Sequence, residues 1–199
     1  MDDLERYLNR DAKDLPSILI DLALVHYQIE TIHPFSDGNG RIGRMLLSIM
    51  AVHNGLLSMP VLYISPSIER NKDEYIDLMF NVSAKGHWSA WIAFLFDRIS
   101  ESCRETIDTI DRLIALQYKY RSEAQAIMRS ASAITLVDLL FERPAITISE
   151  AAAKLSVTYA AAKKTVDKLV ERNILVERGG TYPKIFIAPE ILRATRPKP

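Results

Sequence analysis

The sequence predicts a mostly α-helical protein in which a helical core is followed by a small α+β domain. Three observations lead there. Apolar residues recur at helical spacing from Leu15 onward, and a long stretch after Trp88 holds neither glycine nor proline. Beyond residue 130 the pattern changes to short helical runs and then two β-prone runs around Gly179-Gly180.

Composition bounds the reading. With 199 residues, 48% apolar and 25% charged, the chain can bury a core and holds one large or two small domains. No apolar run reaches the ~18 residues of a membrane span, and the start MDDLERYLNRD is too charged for a signal peptide. The single cysteine, Cys103, excludes an intramolecular disulfide framework and agrees with a reducing compartment. The expectation is a cytoplasmic protein with no membrane partner. Zero net charge conceals a division: residues 1–128 carry 13 basic against 18 acidic side chains, residues 129–199 carry 12 against 7. Such asymmetry suits a nucleic-acid-facing second module and equally an ordinary solvated surface. The expected domains are a core at 1–110, a linking helix at 111–128 and a second domain at 129–199.

In order, Asp2 to Arg10 reads as a short polar helix. Asp14 can cap the next one, with Pro16 in its first turn, and Leu15–Thr31 places Leu19, Leu22, Val25, His26 and Ile29 on a largely buried face. His26 on that face reads as a core histidine rather than a ligand. The four histidines (His26, His33, His53, His87) show neither HExxH spacing nor accompanying cysteines, which excludes a zinc site. A second apolar helix covers Met45–Val52 and stops at Asn54-Gly55. VLYIS fits strand or loop, and the pattern turns helical again from Pro66, with Ile68, Tyr75, Ile76, Leu78, Met79 and Val82 as a stripe closed by Gly86. From Trp88 to about Ser130 one long helix or two nearly collinear ones are expected, with a break near Ser100–Cys103.

Between the first two apolar helices lies His33-Pro34-Phe35-Ser36-Asp37-Gly38-Asn39-Gly40-Arg41-Ile42-Gly43-Arg44. Gly38, Asn39 and Gly40 at a loop-to-helix junction leave backbone N–H groups free to face an anion, and the helix dipole adds to the attraction. Arg41 and Arg44, three apart, project from one face of the first turn, where their forks can hold distal phosphates. Asp37 stands where a divalent cation bridging phosphates needs an oxygen ligand. Histidine ordinarily titrates near neutral pH, which suits His33 to accepting a proton. Phe35 is expected to point inward as an anchor, and Pro34 to stiffen the turn.

This stretch resembles the Fic family motif HPFx(D/E)GNGRxxR, matched at every fixed position. The resemblance covers about the first 125 residues and implies a helical Fic core that transfers AMP from ATP to a Ser, Thr or Tyr hydroxyl of a target protein. It implies His33 as the base, Gly38–Gly40 with Asn39 at the α-phosphate, Arg41 and Arg44 at the β- and γ-phosphates, and Mg²⁺ on Asp37. It also implies adenine contacts from the helix holding Tyr75. The family often has two adjacent tyrosines there; this chain has Tyr75-Ile76, so only Tyr75 is carried over. Family members also place a β-hairpin flap before the motif, and many carry an inhibitory helix with a glutamate. Neither is legible ahead of His33, so the expectation is a fragment of a longer protein or a core completed by another chain.

The last segment opens a helix at Thr147-Ile148-Ser149-Glu150, turns at Ser156-Val157-Thr158, and forms a second helix over Tyr159–Asn173. Two strands, Ile174–Arg178 and Lys184–Ala188, follow. That order resembles a winged helix-turn-helix. Its second helix would present Thr158, Tyr159, Ala161, Lys163 and Lys164 to DNA, or the module would serve docking or homodimerisation. Three functions stand against one another: a protein adenylyltransferase, a DNA-binding regulator with a nucleotide-sensing, non-transferring core, and an interaction scaffold.

Overall fold

The computed structural model describes all residues except 11–13, 129–130, 181 and 197–199. The expected end of the long helix near Ser130 and the expected domain boundary at 129 lie outside the described residues. Two compact units are present, Met1–Glu105 and Thr106–Pro199. The protein is mostly helical, with a small β-containing, winged-helix-like region at its C-terminal end. No helix among the described residues is long and apolar enough to cross a membrane.

The first unit contains α1 (Asp2–Leu8), α2 (Leu15–Ile32), α3 (Asn39–His53), α4 (Ser65–Arg70), α5 (Lys72–Lys85) and the first part of α6 (Trp88–Met128). Asp14 starts α2 by accepting a hydrogen bond from the Ser17 N–H at 3.0 Å, with Pro16 in the first turn. Ile18, Leu22, Val25 and Ile29 then follow one another down a buried face of α2. Leu47 and Met50 of α3 join the same core, and α2 packs on α3. Fully burying an aliphatic side chain of this kind contributes about 1.5–3 kcal/mol, so this helix pair holds the loop between them on a rigid base. Trp91, wholly buried, donates its indole N–H to the Ala23 carbonyl at 2.9 Å and ties α6 to α2.

The helical stretch after Pro66 is divided. Asn71 leaves the helical region (φ −124°, ψ 34°) and separates α4 from α5, while Gly86 ends α5 at a left-handed φ of 68°. VLYIS forms no strand. The break expected near Ser100–Cys103 does not occur: α6 runs unbroken through it. Serine and cysteine inside a helix cost only tenths of a kcal/mol, and the apolar periodicity continues past them, so nothing there forces an interruption.

In the second unit, α7 (Ala131–Glu142) precedes β1 (Ala145–Thr147), α8 (Ile148–Leu155), α9 (Tyr159–Glu171), β2 (Val176–Arg178), β3 (Ile185–Ile187) and α10 (Pro189–Ala194). The sheet is antiparallel in the order β1-β3-β2, with Ala145 opposite Ile187 and Arg178 opposite Ile185. Leu136 and Leu140 of α7, Ala162 and Val166 of α9, and Phe186 of β3 share its core. Thr147 and Glu150 form a capping box at the start of α8, each side chain bonding the other's backbone N–H.

Candidate active site

The loop expected to carry the chemistry joins the C-terminus of α2 to the N-terminus of α3. His33 ends α2 in the left-handed region (φ 51°, ψ 56°), with its N–H donating to the Ile29 carbonyl at 3.1 Å. A non-glycine residue held there costs about 1–3 kcal/mol. The conformation brings Nδ1 to 3.3 Å from the Glu30 carbonyl oxygen. A proton on Nδ1, directed at that carbonyl, leaves Nε2 as the lone-pair nitrogen.

Gly38, at φ 83°, is the N-cap of α3, a conformation that disfavours any side chain. It turns the chain so that the opening N–H groups of α3 have no helical acceptor and face outward, as at any helix start. Asn39 bonds the loop itself through its side chain. It is 2% exposed, its side-chain amide donates to the Phe35 carbonyl at 2.6 Å, and its side-chain oxygen accepts from the Phe35 N–H at 2.9 Å. The side chain therefore braces the loop, with both ends of its amide engaged on one backbone unit. Phe35, expected to anchor inward, is 48% exposed. The contact with Asn39 runs through the Phe35 backbone and leaves the ring without a part in it.

Arg41 and Asp37 are exposed and pair with each other, Nη2 to Oδ2 at 3.2 Å. An exposed pair of this kind contributes about 0–1 kcal/mol, little enough for both partners to be redirected by a ligand. Arg44 is half-buried, and its Nε donates to Ser65 Oγ at 2.9 Å. Gly43, one position earlier, sits where no Cβ fits: one placed there would stand 2.5 Å from Glu30 Oε1 and 3.2 Å from His26 Nδ1.

Glu30 and Ser65 were missed by sequence reasoning, since neither carries a motif position. Glu30 Oε1 is buried with no hydrogen-bond partner. Burial pushes its carboxyl above the ordinary carboxylate range, while Arg44 and then His33 pull it back. His26 lies in the core, its Nε2 3.2 Å from the Tyr75 hydroxyl. Burial drops its pKa to about 4; the Gly43 backbone opposes that shift and the Arg44 charge adds to it. Tyr75 packs among His26, Trp91 and Phe94, and burial, with the Glu30 charge adding, raises its phenol pKa. The structure thus places Tyr75 partly buried against the core, whereas Ile76, expected on the same apolar stripe, is exposed.

No group of three or more His, Cys, Asp or Glu side chains suited to a metal occurs among the described residues. Asp37 offers an exposed carboxylate within the loop. One protein oxygen fits Mg²⁺, which keeps several waters and takes further ligands from substrate phosphates. In the second unit, Thr158 caps α9 by accepting from the Ala161 N–H at 3.3 Å, and Lys163 pairs with Asp167 at 2.6 Å. Tyr159, Ala161 and Lys164 are exposed beside them.

Comparison with known proteins agrees with the motif. The family model of the Fic/DOC family matches residues 1–51. A probable protein adenylyltransferase of Aquifex aeolicus is 43% identical over 56 residues, 28% of this chain and 15% of that protein. The protein adenylyltransferase Fic of Drosophila yakuba is 39% identical over 72 residues, 36% of this chain and 14% of that protein. The matched part is thus less than a fifth of these relatives' length. The crystal structure of a Fic family protein from Desulfovibrio desulfuricans superposes with a TM-score of 0.50 at 14% identity, covering 94% of this chain and 53% of that one. The segment that bears the loop is therefore similar in sequence to Fic/DOC proteins, and the chain has a Fic/DOC-like fold.

Proposed function

We propose that this protein is a nucleotidyltransferase that moves AMP from ATP to a Ser, Thr or Tyr hydroxyl of a target protein. The observation that carries this reading is the joint placement of His33 and the α3 N-terminus on either side of one braced turn. The hydroxyl proton goes to His33 Nε2. The hydroxyl oxygen forms a bond to the α-phosphorus, the bond from that phosphorus to the β-bridging oxygen breaks, and pyrophosphate leaves in line. Backbone N–H groups at Gly38–Gly40 hold the α-phosphate, with Asn39 keeping the turn in shape behind them. Arg41, released from Asp37, and Arg44 take the β- and γ-phosphates. Asp37 would hold Mg²⁺ delivered with the nucleotide, which supplies charge neutralisation at the leaving phosphates. Ile76, exposed next to Tyr75, adds an aliphatic surface for the base.

Incubation with labelled ATP, Mg²⁺ and a protein lysate tests this directly. Wild type labels a protein band, and His33→Ala lowers labelling by roughly 100-fold or more; equal labelling by both overturns the assignment of the base.

A second reading applies to the winged-helix-like unit: contact with duplex DNA through the start of α9. It is supported by the exposed Tyr159 and Lys164 on a helix of the type that enters a groove. Thr158 and Lys163 already have partners within α9, which leaves Tyr159 and Lys164 as the main contacts. A low-salt gel shift that disappears in Tyr159→Ala/Lys164→Ala supports it; no shift with wild type removes it and leaves docking or homodimerisation for this unit.

A further inference from the structure

Arg44 is held from an element that the motif does not include. Its Nε–H bonds Ser65 Oγ at 2.9 Å, and Ser65 is the first residue of α4, followed by Pro66. Nη1 of the same guanidinium lies 3.0 Å from the point a Cβ on Gly40 would occupy, which sets the fork over the first turn of α3. Beneath it, Glu30 Oε1 is buried against Gly43 with no hydrogen-bond partner, and the Arg44 charge acts on that carboxyl.

These positions divide the guanidinium between two tasks. An arginine carries five N–H donors in a rigid plane. With Nε engaged by Ser65, turning the plane about the side-chain axis costs that hydrogen bond, so the two terminal nitrogens favour one direction. A long side chain ordinarily loses its rotamer freedom when it clamps a ligand, and fixing it beforehand removes part of that loss from binding. Proline after Ser65 stiffens the point of attachment. The carboxylate of Glu30 adds a charge that favours the guanidinium staying over the turn.

We propose that Ser65 is a positioning residue of the nucleotide site, acting through Arg44 so that its terminal nitrogens are pre-set for the distal phosphates. The inference rests on the nucleotide reading above and goes beyond it by adding a residue outside the motif.

Calorimetric titration with ATP·Mg²⁺ of wild type, Ser65→Ala, Ser65→Thr, Arg44→Ala and Ser65→Ala/Arg44→Ala tests it. Ser65→Ala should weaken ATP by about five- to tenfold, Ser65→Thr should stay within about twofold because it keeps the hydroxyl, and Ser65→Ala should add nothing once Arg44 is gone. ATP affinity unchanged in Ser65→Ala, or a full additional loss in the double variant, overturns the proposal. A readout without nucleotide runs alongside: the Arg44 Nε–H resonance in ¹⁵N spectra should be resolved in wild type and Ser65→Thr and exchange-broadened in Ser65→Ala. An unchanged resonance in Ser65→Ala overturns the positioning role even where ATP binds. Absence of ATP binding to wild type overturns the nucleotide reading instead, and the Nε–H resonance then decides by itself whether Ser65 holds Arg44.

Discussion

His33 occupies backbone space that glycine would fill more easily, which makes the cost of keeping a ring there measurable. His33→Gly relieves the left-handed strain at this helix end. It is expected to lose labelling as fully as His33→Ala while melting at the same temperature or a few degrees higher; a lower melting temperature than His33→Ala would contradict the strain. His26 and Glu30, below the turn, each make a pH prediction. His26, with its folded pKa lowered to about 4 by burial, is neutral in the native state and regains its ordinary value of ~6.5 on unfolding. Its contribution is present above ~6.5 and is lost as pH falls toward 4, by ~3 kcal/mol in full. Urea unfolding at pH 7 and pH 5 should show the loss, and His26→Gln should flatten it. Glu30 runs the other way: its raised carboxyl favours the folded state in acid, and that contribution fades as pH rises through the raised value. Glu30→Gln is therefore expected to be more stable than wild type at pH 7 and no more stable at pH 3.

At the scale of elements, the site depends on where two helices stop and start. α2 ends at His33 and α3 is capped by Gly38, so the proposed base and the opening N–H groups of α3 stand at the two ends of one short turn. Asp14 sets the other end of α2, and Asp14→Ala is expected to cost about 1 kcal/mol with little effect on labelling per folded molecule, checked by denaturant unfolding. Gly43→Ala is expected to impair ATP binding, because its methyl would displace the Glu30 carboxylate 2.5 Å away. Glu30→Ala/Gly43→Ala removes that clash, so the double variant should be less destabilised than Gly43→Ala alone when the two are compared by melting temperature.

For the whole molecule, net charge near zero hides an acidic first part and a basic last part. Should α9 contact DNA, Lys164→Ala should lower the slope of log affinity against log salt by about one unit and leave ATP labelling unchanged. The units have separate cores, one built on Trp91 and the α2–α3 pair, the other on α7, α9 and Phe186. Each was legible in outline from apolar spacing. The short strand β1 and the last helix α10 were not: Ala145–Thr147 becomes a strand because β3 pairs with it, and three residues carry no periodicity of their own.

The sequence by itself determined the helical class, the small β-containing region that follows the helical core, the cap at Asp14 and the helix start at Thr147–Glu150, and it singled out the loop His33–Arg44 as the candidate for the chemistry. These follow from local rules of spacing, capping and charge that act within a few residues. Only the tertiary structure decided that Asn39 braces Phe35, that Phe35 is exposed, that Tyr75 packs against the core, that Ser65 bonds Arg44, and that the Arg44 charge acts on Glu30. Ser65 and Arg44 meet because α3 and α4 pack on one core. Contacts between residues 21 positions apart depend on that packing, which no local pattern encodes.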